Sequence, residues 1–344
     1  MMSKPNLRSL TIEELSQVLA QMGQPKFRAK QLFTWLAKGA SFEQMSNIPA
    51  ALKDKLAEQF RLTRPEVERR QDASDGTVKF LWKLHDGEYI ESVLMRYEYG
   101  CTVCVSSQVG CAMGCAFCAS TKGGLVRDLD AGEILEQVIF TGLEAGVPIS
   151  HIVLMGIGEP LANYDNVMRF LDLVNHPDGV CIGMRKISLS TCGLVDRIDK
   201  LAERNVQLTL SVSLHSAVTE VREKLMPVAK RWDLKSLYDA CRRYYEKTGR
   251  RISYEYSMID GVNDTDEAAA ALSKWVKAAG GGHVNLIRLN RVEESPLEPT
   301  TPKRLKEFVA RLEKDGVTVT VRRRLGTDID AACGQLRRKS AKAK

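Results

Sequence analysis

The chain has 344 residues, 44% of them apolar and 27% charged, with a formal net charge of +7. Such a length buries one large core, or one core with a small appended domain. No apolar run approaches the roughly 20 residues of a membrane span, and residues 1–15 lack the apolar core of a signal peptide. A cytoplasmic protein is expected, in which nine cysteines read as metal ligands or catalytic thiols.

The first 60 residues read as helical. Thr11 and Glu14 form a capping box, and Leu15, Val18, Leu19 and Met22 follow at helical spacing until Gly23-Gln-Pro25. Further helices are predicted over 27–36 and, after Ile48-Pro49, over 50–60. Lys26, Arg28 and Lys30 suit RNA contact, although a plain packing domain fits equally. Residues 77–84 then alternate with period two, Asp86-Gly87 supplies a turn, and 89–95 return, which predicts a β-hairpin. Glu91 falls inside its second strand, where a carboxylate ordinarily faces solvent.

After residue 100 strands and helices alternate. Strands are predicted at 102–106, 151–155, 186–190, 207–213, 252–258 and 283–289. Helices are predicted at 131–145, 164–174, 195–204, 234–248 and 266–279, with a last helix over 302–315 and a last strand over 317–322. The pattern predicts an α/β fold, a parallel sheet with crossover helices forming an open partial barrel of six β/α units. Chemistry in such folds gathers in the loops that follow the strands. The expected divisions are a helical domain over 1–75, a hairpin extension over 76–100, the barrel over 101–325 and a C-terminal loop over 326–344.

Cys111-Ala-Met-Gly-Cys115-Ala-Phe-Cys118 follows the first barrel strand. Three thiolates are one short of a tetrahedral zinc site but suffice for three irons of a 4Fe–4S cluster, leaving one iron open. A zinc knuckle completed by a distant Cys or His, or three unrelated core cysteines, are the alternatives. Gly156-Ile-Gly158-Glu159-Pro160 follows the second strand. Its glycines admit a ligand close to the backbone and Glu159 can accept hydrogen bonds, although a tight turn reads the same way. Ser190, Ser213-Leu214-His215 and Asn290 follow later strands. Each alone is an ordinary cap or loop residue, and their shared position is what argues for one site. Cys104 in the first strand and Cys333 near the C-terminus are either buried small residues or reactive thiols. The basic runs Arg322-Arg323-Arg324 and Arg337-Arg338-Lys339 suit phosphate contact or simple solvation.

Taken together, Glu91-Ser-Val-Leu-Met, the segment from Cys104 to Cys118, Met155-Gly-Ile-Gly-Glu-Pro-Leu-Ala-Asn163, Ser213-Leu-His215, His283-Val-Asn-Leu-Ile and Asp330-Ala-Ala-Cys333-Gly-Gln-Leu336 resemble the radical S-adenosylmethionine (SAM) adenosine methyltransferases of the RlmN/Cfr family. The resemblance implies a radical-SAM partial barrel and methylation of 23S ribosomal RNA, with transfer RNA as a second substrate. It also implies a two-SAM mechanism in which Cys333 takes a methyl group from one SAM. A second SAM, on the cluster held by Cys111, Cys115 and Cys118, is reductively cleaved to activate that methyl group. Glu91 matches the base for the ring proton, and Cys104 the thiol that resolves the protein–RNA adduct as a disulfide with Cys333. Gly158, Glu159, Ser190, Ser213, Leu214, His215 and Asn290 match SAM contacts. An electron donor such as flavodoxin or ferredoxin, a monomeric state and RNA contact through the helical domain and the basic tail complete the expectation.

Arg291 stands where many relatives have Pro, which loosens the inference around Asn290. Cys101 competes with Cys104 for the resolving role, while Cys181, Cys192 and Cys241 read as structural. Segments around 105–110 and 116–123 resemble the C2-methylating branch. Those around 213–216 and 283–288 lean toward the C8-methylating resistance branch, and C2 is favoured. A zinc-stabilised RNA-binding protein without catalysis is the reading from a different class.

Overall fold

The computed structural model describes residues 4–290 and 295–329. Cys333 and the basic tail after Arg324 that begins at Arg337 lie outside the described residues. The chain opens with three helices, α1 (Ile12–Gln21), α2 (Phe27–Ala37) and α3 (Ala50–Gln59). The capping box forms as expected: the Thr11 amide donates to Glu14 Oε2 at 2.9 Å and the Glu14 amide donates to Thr11 Oγ1 at 3.3 Å. Leu15 and Leu19 of α1 and Leu32, Phe33 and Leu36 of α2 supply the apolar seam.

Three strands follow, β1 (Glu66–Asp72), β2 (Val78–Lys83) and β3 (Tyr89–Tyr97). The β2–β3 hairpin is the predicted one, with Val78 opposite Leu94 and Lys83 opposite Tyr89. Strand β1 falls within the segment expected to be helical. Almost every residue of it is exposed, so no apolar alternation betrays it. The hairpin is continuous with the barrel: β3 pairs antiparallel with β4 (Gly100–Cys104) in one ten-stranded sheet.

The rest alternates as predicted. A small ribbon of β5 (Gln108–Gly110) and β6 (Leu125–Asp128) precedes α4 (Ala131–Ala145), and was missed because its strands are short. Then come β7 (Ile149–Leu154), α5 (Tyr164–Asn175), β8 (Ile187–Thr191), α6 (Val195–Arg204), β9 (Thr209–Ser213), α7 (Thr219–Leu225) and α8 (Leu234–Thr248). The series ends with β10 (Ser253–Met258), α9 (Asp266–Ala278), β11 (His283–Arg288), α10 (Pro302–Lys314) and β12 (Thr318–Val321). Strands β4, β7, β8, β9, β10, β11 and β12 run parallel in that order. The open barrel therefore has six β/α units and a closing strand. No described helix is long and apolar enough to cross a membrane.

The helical domain is seated on the barrel by a buried polar knot. Arg8 and Glu136 of α4 pair at 3.2 Å with both side chains buried. Asn6 donates to the same Glu136 oxygen at 3.2 Å, and Arg8 also donates to the carbonyls of Leu36 and Ala40. Burial pushes the Glu136 carboxyl up to about 7, with Arg8 pulling it back down. Breaking a buried pair leaves an uncompensated charge, which costs about 3–5 kcal/mol. Arg8→Met is therefore expected to lower the unfolding free energy by that order, with a matching fall in the urea midpoint. Because Glu136 is raised above its ordinary 4.5, its contribution is fully present below that pH and is lost as pH rises through about 7. The midpoint of Glu136→Gln is expected to lack this fall, as urea titrations between pH 4.5 and 8 will read.

Candidate functional site

The site begins where β4 ends. The chain bends at Ser106, which is stapled to α4. Gln137 Oε1 accepts from the Ser106 amide at 2.8 Å, and Gln137 Nε2 donates to the Ser106 carbonyl at 2.9 Å. Ser106 Oγ donates to the Glu91 carbonyl at 2.7 Å and accepts from the Ile157 amide at 3.1 Å. One hydroxyl thus joins β3, the bend and the glycine segment after β7. Gly156 and Gly158 have no room for side chains. A Cβ at Gly156 would lie 2.6 Å from the Val105 carbonyl oxygen, and one at Gly158, where φ is +107°, 2.6 Å from Gln108 Cβ.

The loop between β5 and β6 carries the three cysteines. Gly110 starts it at φ +80°, with the Gly124 carbonyl where a Cβ would be. The Cys111 amide donates to that carbonyl at 3.0 Å, and the Ala116 amide donates to Leu225 of α7 at 2.9 Å. Thr121 Oγ1 donates to the Cys118 carbonyl at 3.1 Å. Cys111, Cys115 and Cys118 all face one cavity of about 270 Å³ at the carboxyl ends of the parallel strands. Burial pushes the Cys111 thiol up to about 11, and burial followed by the other two thiols raises Cys115 further. Thiols so placed and so close together ionise only against compensating positive charge, which metal supplies. Among the described residues no three His, Cys, Asp or Glu side chains converge tightly enough for one ion. An iron–sulfur cube puts each thiolate on a different iron, so its ligands stand farther apart than those of one zinc. Three thiols on one cavity wall fit three irons of such a cluster.

The same cavity is lined by Gly158, Glu159, Ser190, Ser213 and His215. Glu159 is buried, accepting from the Leu161 amide at 3.0 Å and the Cys192 amide at 2.7 Å, and burial raises its carboxyl. It therefore ties the β7 and β8 loops together as well as facing the cavity. The Ser190 and Ser213 hydroxyls stand 3.4 Å apart across neighbouring strands. His215 sits at φ +53°, edge-on to Phe117 with ring centroids 4.6 Å apart. Burial, then Arg222, pulls its imidazole down to about 3. It is neutral, and Nδ1 accepts from the Ser257 amide at 2.9 Å, so Nε2 carries the proton.

Other expected residues stand outside that lining. Leu214 is wholly buried in the core, and its carbonyl accepts from Arg222 at 3.2 Å. Asn290 is exposed after β11. Cys104 and Cys101 are separated by parity. Cys104 packs with Val93, Met95, Tyr97, Met155 and Leu325 on the inner face of the sheet, whereas Cys101 lies on the other face, against the helix-side core. Glu91 is on the inner face too, buried in an ion pair of 2.9 Å with the buried Lys79 of β2. It is not the solvent-facing carboxylate of an ordinary strand.

Several site residues went unread in the sequence. Cys192, read as structural, lines the cavity, as do Thr191, Ser257 and Glu255. Glu255 is the in-register neighbour of Ser213, so strand parity was the available signal. Arg222 had no signal. It is buried on α7, donates to the Cys192 carbonyl at 2.8 Å, and among the described residues forms no ion pair. Its charge acts directly on Cys115 and Cys192.

The chain matches the radical SAM superfamily over residues 105–272 and the ribosomal RNA large subunit methyltransferase N-terminal domain over residues 5–62. It is 49% identical over 342 residues to the probable dual-specificity RNA methyltransferase RlmN of Clostridium perfringens (strain 13 / Type A), covering 98% of each chain. It is 48% identical to the protein of the same description from Alkaliphilus oremlandii, covering 98% of this chain and 99% of that one. Among solved structures, a radical SAM methyltransferase from Sphaerobacter thermophilus superimposes with a TM-score of 0.91 at 42% identity, over 96% of this chain and 98% of that one.

Arg222 is a buried cation held at the Cys192 carbonyl, and its field reaches Cys115 of the three-thiol loop. Cations beside a cluster favour its reduced form. Arg222→Met is expected to shift the cluster's midpoint to a more negative potential in a dye-mediated EPR titration, and Arg222→Lys to restore part of the shift.

Proposed function

The chain belongs to the RlmN family of radical SAM RNA methyltransferases, and from that membership we propose that it methylates C2 of an adenosine in 23S rRNA and of an adenosine in the anticodon loop of tRNA. The family's cofactors are a 4Fe–4S cluster and SAM. Cys111, Cys115 and Cys118 hold the cluster. The backbone at Gly158, the Ser190 and Ser213 hydroxyls and the His215 Nε2–H orient SAM against it, with Glu159 fixing the loops that carry them. A cytoplasmic location, a flavodoxin or ferredoxin as electron donor and a monomeric enzyme belong to the same reading.

The observation that carries the methyl-carrier chemistry is the course of the C-terminal segment. Leu325 packs in the inner-face cluster with Cys104. Two carboxylates then tie the segment to the β1–β2 turn: the Gly326 amide donates to Asp75 at 2.8 Å, and Asp328 accepts from the Ser74 amide at 2.9 Å. Cys333 comes eight residues after Leu325, and eight residues span at most about 29 Å when extended. That reach supports a thiol returning to Cys104.

SAM supplies the methyl group and, with an electron from the cluster, the means of activating it. Cys333 would carry that carbon on its sulfur as a methyl group, which gives up one hydrogen atom to the cleaved SAM before the carbon bonds to C2 of the base. Glu91, oriented by Lys79, accepts the C2 proton while the remaining electron returns to the cluster. Cys104 then attacks the Cys333 sulfur. The S–S bond forms as the C–S bond breaks, and the freed carbon takes up a proton as the methyl group. The target base must be unstacked to reach this chamber.

The test is anaerobic turnover of cluster-loaded protein with methyl-labelled SAM and protein-free ribosomal RNA, followed by nucleoside mass spectrometry. Labelled 2-methyladenosine is expected. An 8-methyladenosine product overturns the regiochemistry, and unmodified RNA overturns the substrate. Cys333→Ala is expected to abolish the product, and Cys104→Ala to accumulate a covalent protein–RNA species on denaturing gels.

A further inference from the structure

The inner face of the sheet does not end at the cavity. Met155 lines the cavity and packs with Cys104, Val93, Met95 and Tyr97. Tyr97 Oη donates to Met95 Sδ at 3.7 Å. The Tyr97 ring stacks on Tyr99, centroids 4.9 Å apart and planes within 8°, and Tyr99 meets His151 edge-on at 4.9 Å. Tyr99 is 63% exposed, the most exposed large apolar or aromatic side chain among the described residues. One continuous surface therefore leads from the thiol-lined cavity, past Cys104, to an aromatic pair in solvent.

Basic groups stand near this pair, with Asp75 as a carboxylate beside Arg323. Arg322 lines the cavity and touches Met155 Sδ at 4.0 Å. Arg322 and Arg323 act on the Tyr97 phenol, and Lys186 acts on His151. Glu98, exposed between the two tyrosines, is the carboxylate of the turn. Exposed parallel rings offer a π-face to any base, and single-stranded nucleic acids are held by such stacking beside cationic groups. An apolar role does not explain the pair, since the outer ring is left in water.

We propose that Tyr97 and Tyr99, in the turn that precedes β4 at the amino-terminal end of the parallel strands, form a stacking platform on which an unpaired RNA base a few nucleotides from the target adenosine rests while Lys186, Arg322 and Arg323 meet its phosphates. The proposal rests on the reading of the chain as an RNA methyltransferase and names a surface on which the RNA strand lies. Stacking there holds the strand single, with the target base farther along the inner face toward Cys104 and Glu91.

The experiment is equilibrium binding of cluster-loaded full-length protein to a short single-stranded RNA in which 2-aminopurine is walked through the few nucleotides on either side of the target adenosine, read by quenching over a range of salt. Loss of one base stack costs about 1–3 kcal/mol, so Tyr99→Ala is expected to weaken binding about tenfold with its salt dependence unchanged. Tyr99→Trp is expected to retain affinity and quenching. Lys186→Gln is expected to lower the salt slope by about one. Tyr99→Ala binding and quenching like the unaltered protein overturns the platform and leaves the RNA reading intact. Failure of the unaltered protein to bind or methylate RNA overturns the RNA reading itself.

Discussion

Strand register is the constraint on which the rest of this structure depends. Neighbours directly opposite in the sheet share a face. Ser190 pairs with Ser211, Ser213 with Glu255, and Glu255 with Asn285. At the other end of the sheet Glu91 pairs with Leu81, and Val93 with both Lys79 and Cys104. A slip of one residue in any strand turns its polar set into the helix-side core and its apolar set into the cavity. The apolar side, with Ile152, Leu189, Leu210, Val212 and Tyr254 wholly buried beneath the helices, forbids that slip. Core packing and the placement of reactive groups are therefore one decision made in the same strands.

The loops at the strand ends are held by polar groups with little freedom left. Gln137, Ser106, Gln108 and Asn163 bind backbone across the bend after β4. Glycines at 110, 156 and 158 let main chain pass where a side chain cannot. Buried groups with satisfied partners rigidify their surroundings, which suits ligands that must hold a reactive cofactor. Arg222 and the Lys79–Glu91 pair show the complementary feature. Each places charge in the interior, which is costly unless something in the function uses it.

Much of this was legible in the sequence, for identifiable reasons. The capping box at Thr11 marks a helix start, and the alternation of apolar strands with amphipathic helices gives the open barrel. The tight spacing of Cys111, Cys115 and Cys118 points to a cluster, and the segments quoted beside it carry that reading past the zinc knuckle. Features that depend on lateral neighbours were not legible. Lys79 looks like any strand lysine until β2 is laid beside β3. Cys101 competes with the favoured Cys104 until the pleat assigns them opposite faces. Arg222 sits on a seven-residue helix that no periodicity announces, and Cys192 seemed structural until its loop was folded over Glu159. Strand β1 is nearly all exposed and borrows its structure from β2.

The central claim is that three thiols in a buried cavity hold a cluster with one iron open to SAM. It is tested most directly by anaerobic reconstitution, iron and sulfide analysis, and EPR of the reduced protein before and after SAM is added. The account predicts about four irons and four sulfides per chain and a signal whose shape changes when SAM binds. A colourless protein carrying one zinc, or a cluster whose signal ignores SAM, contradicts it.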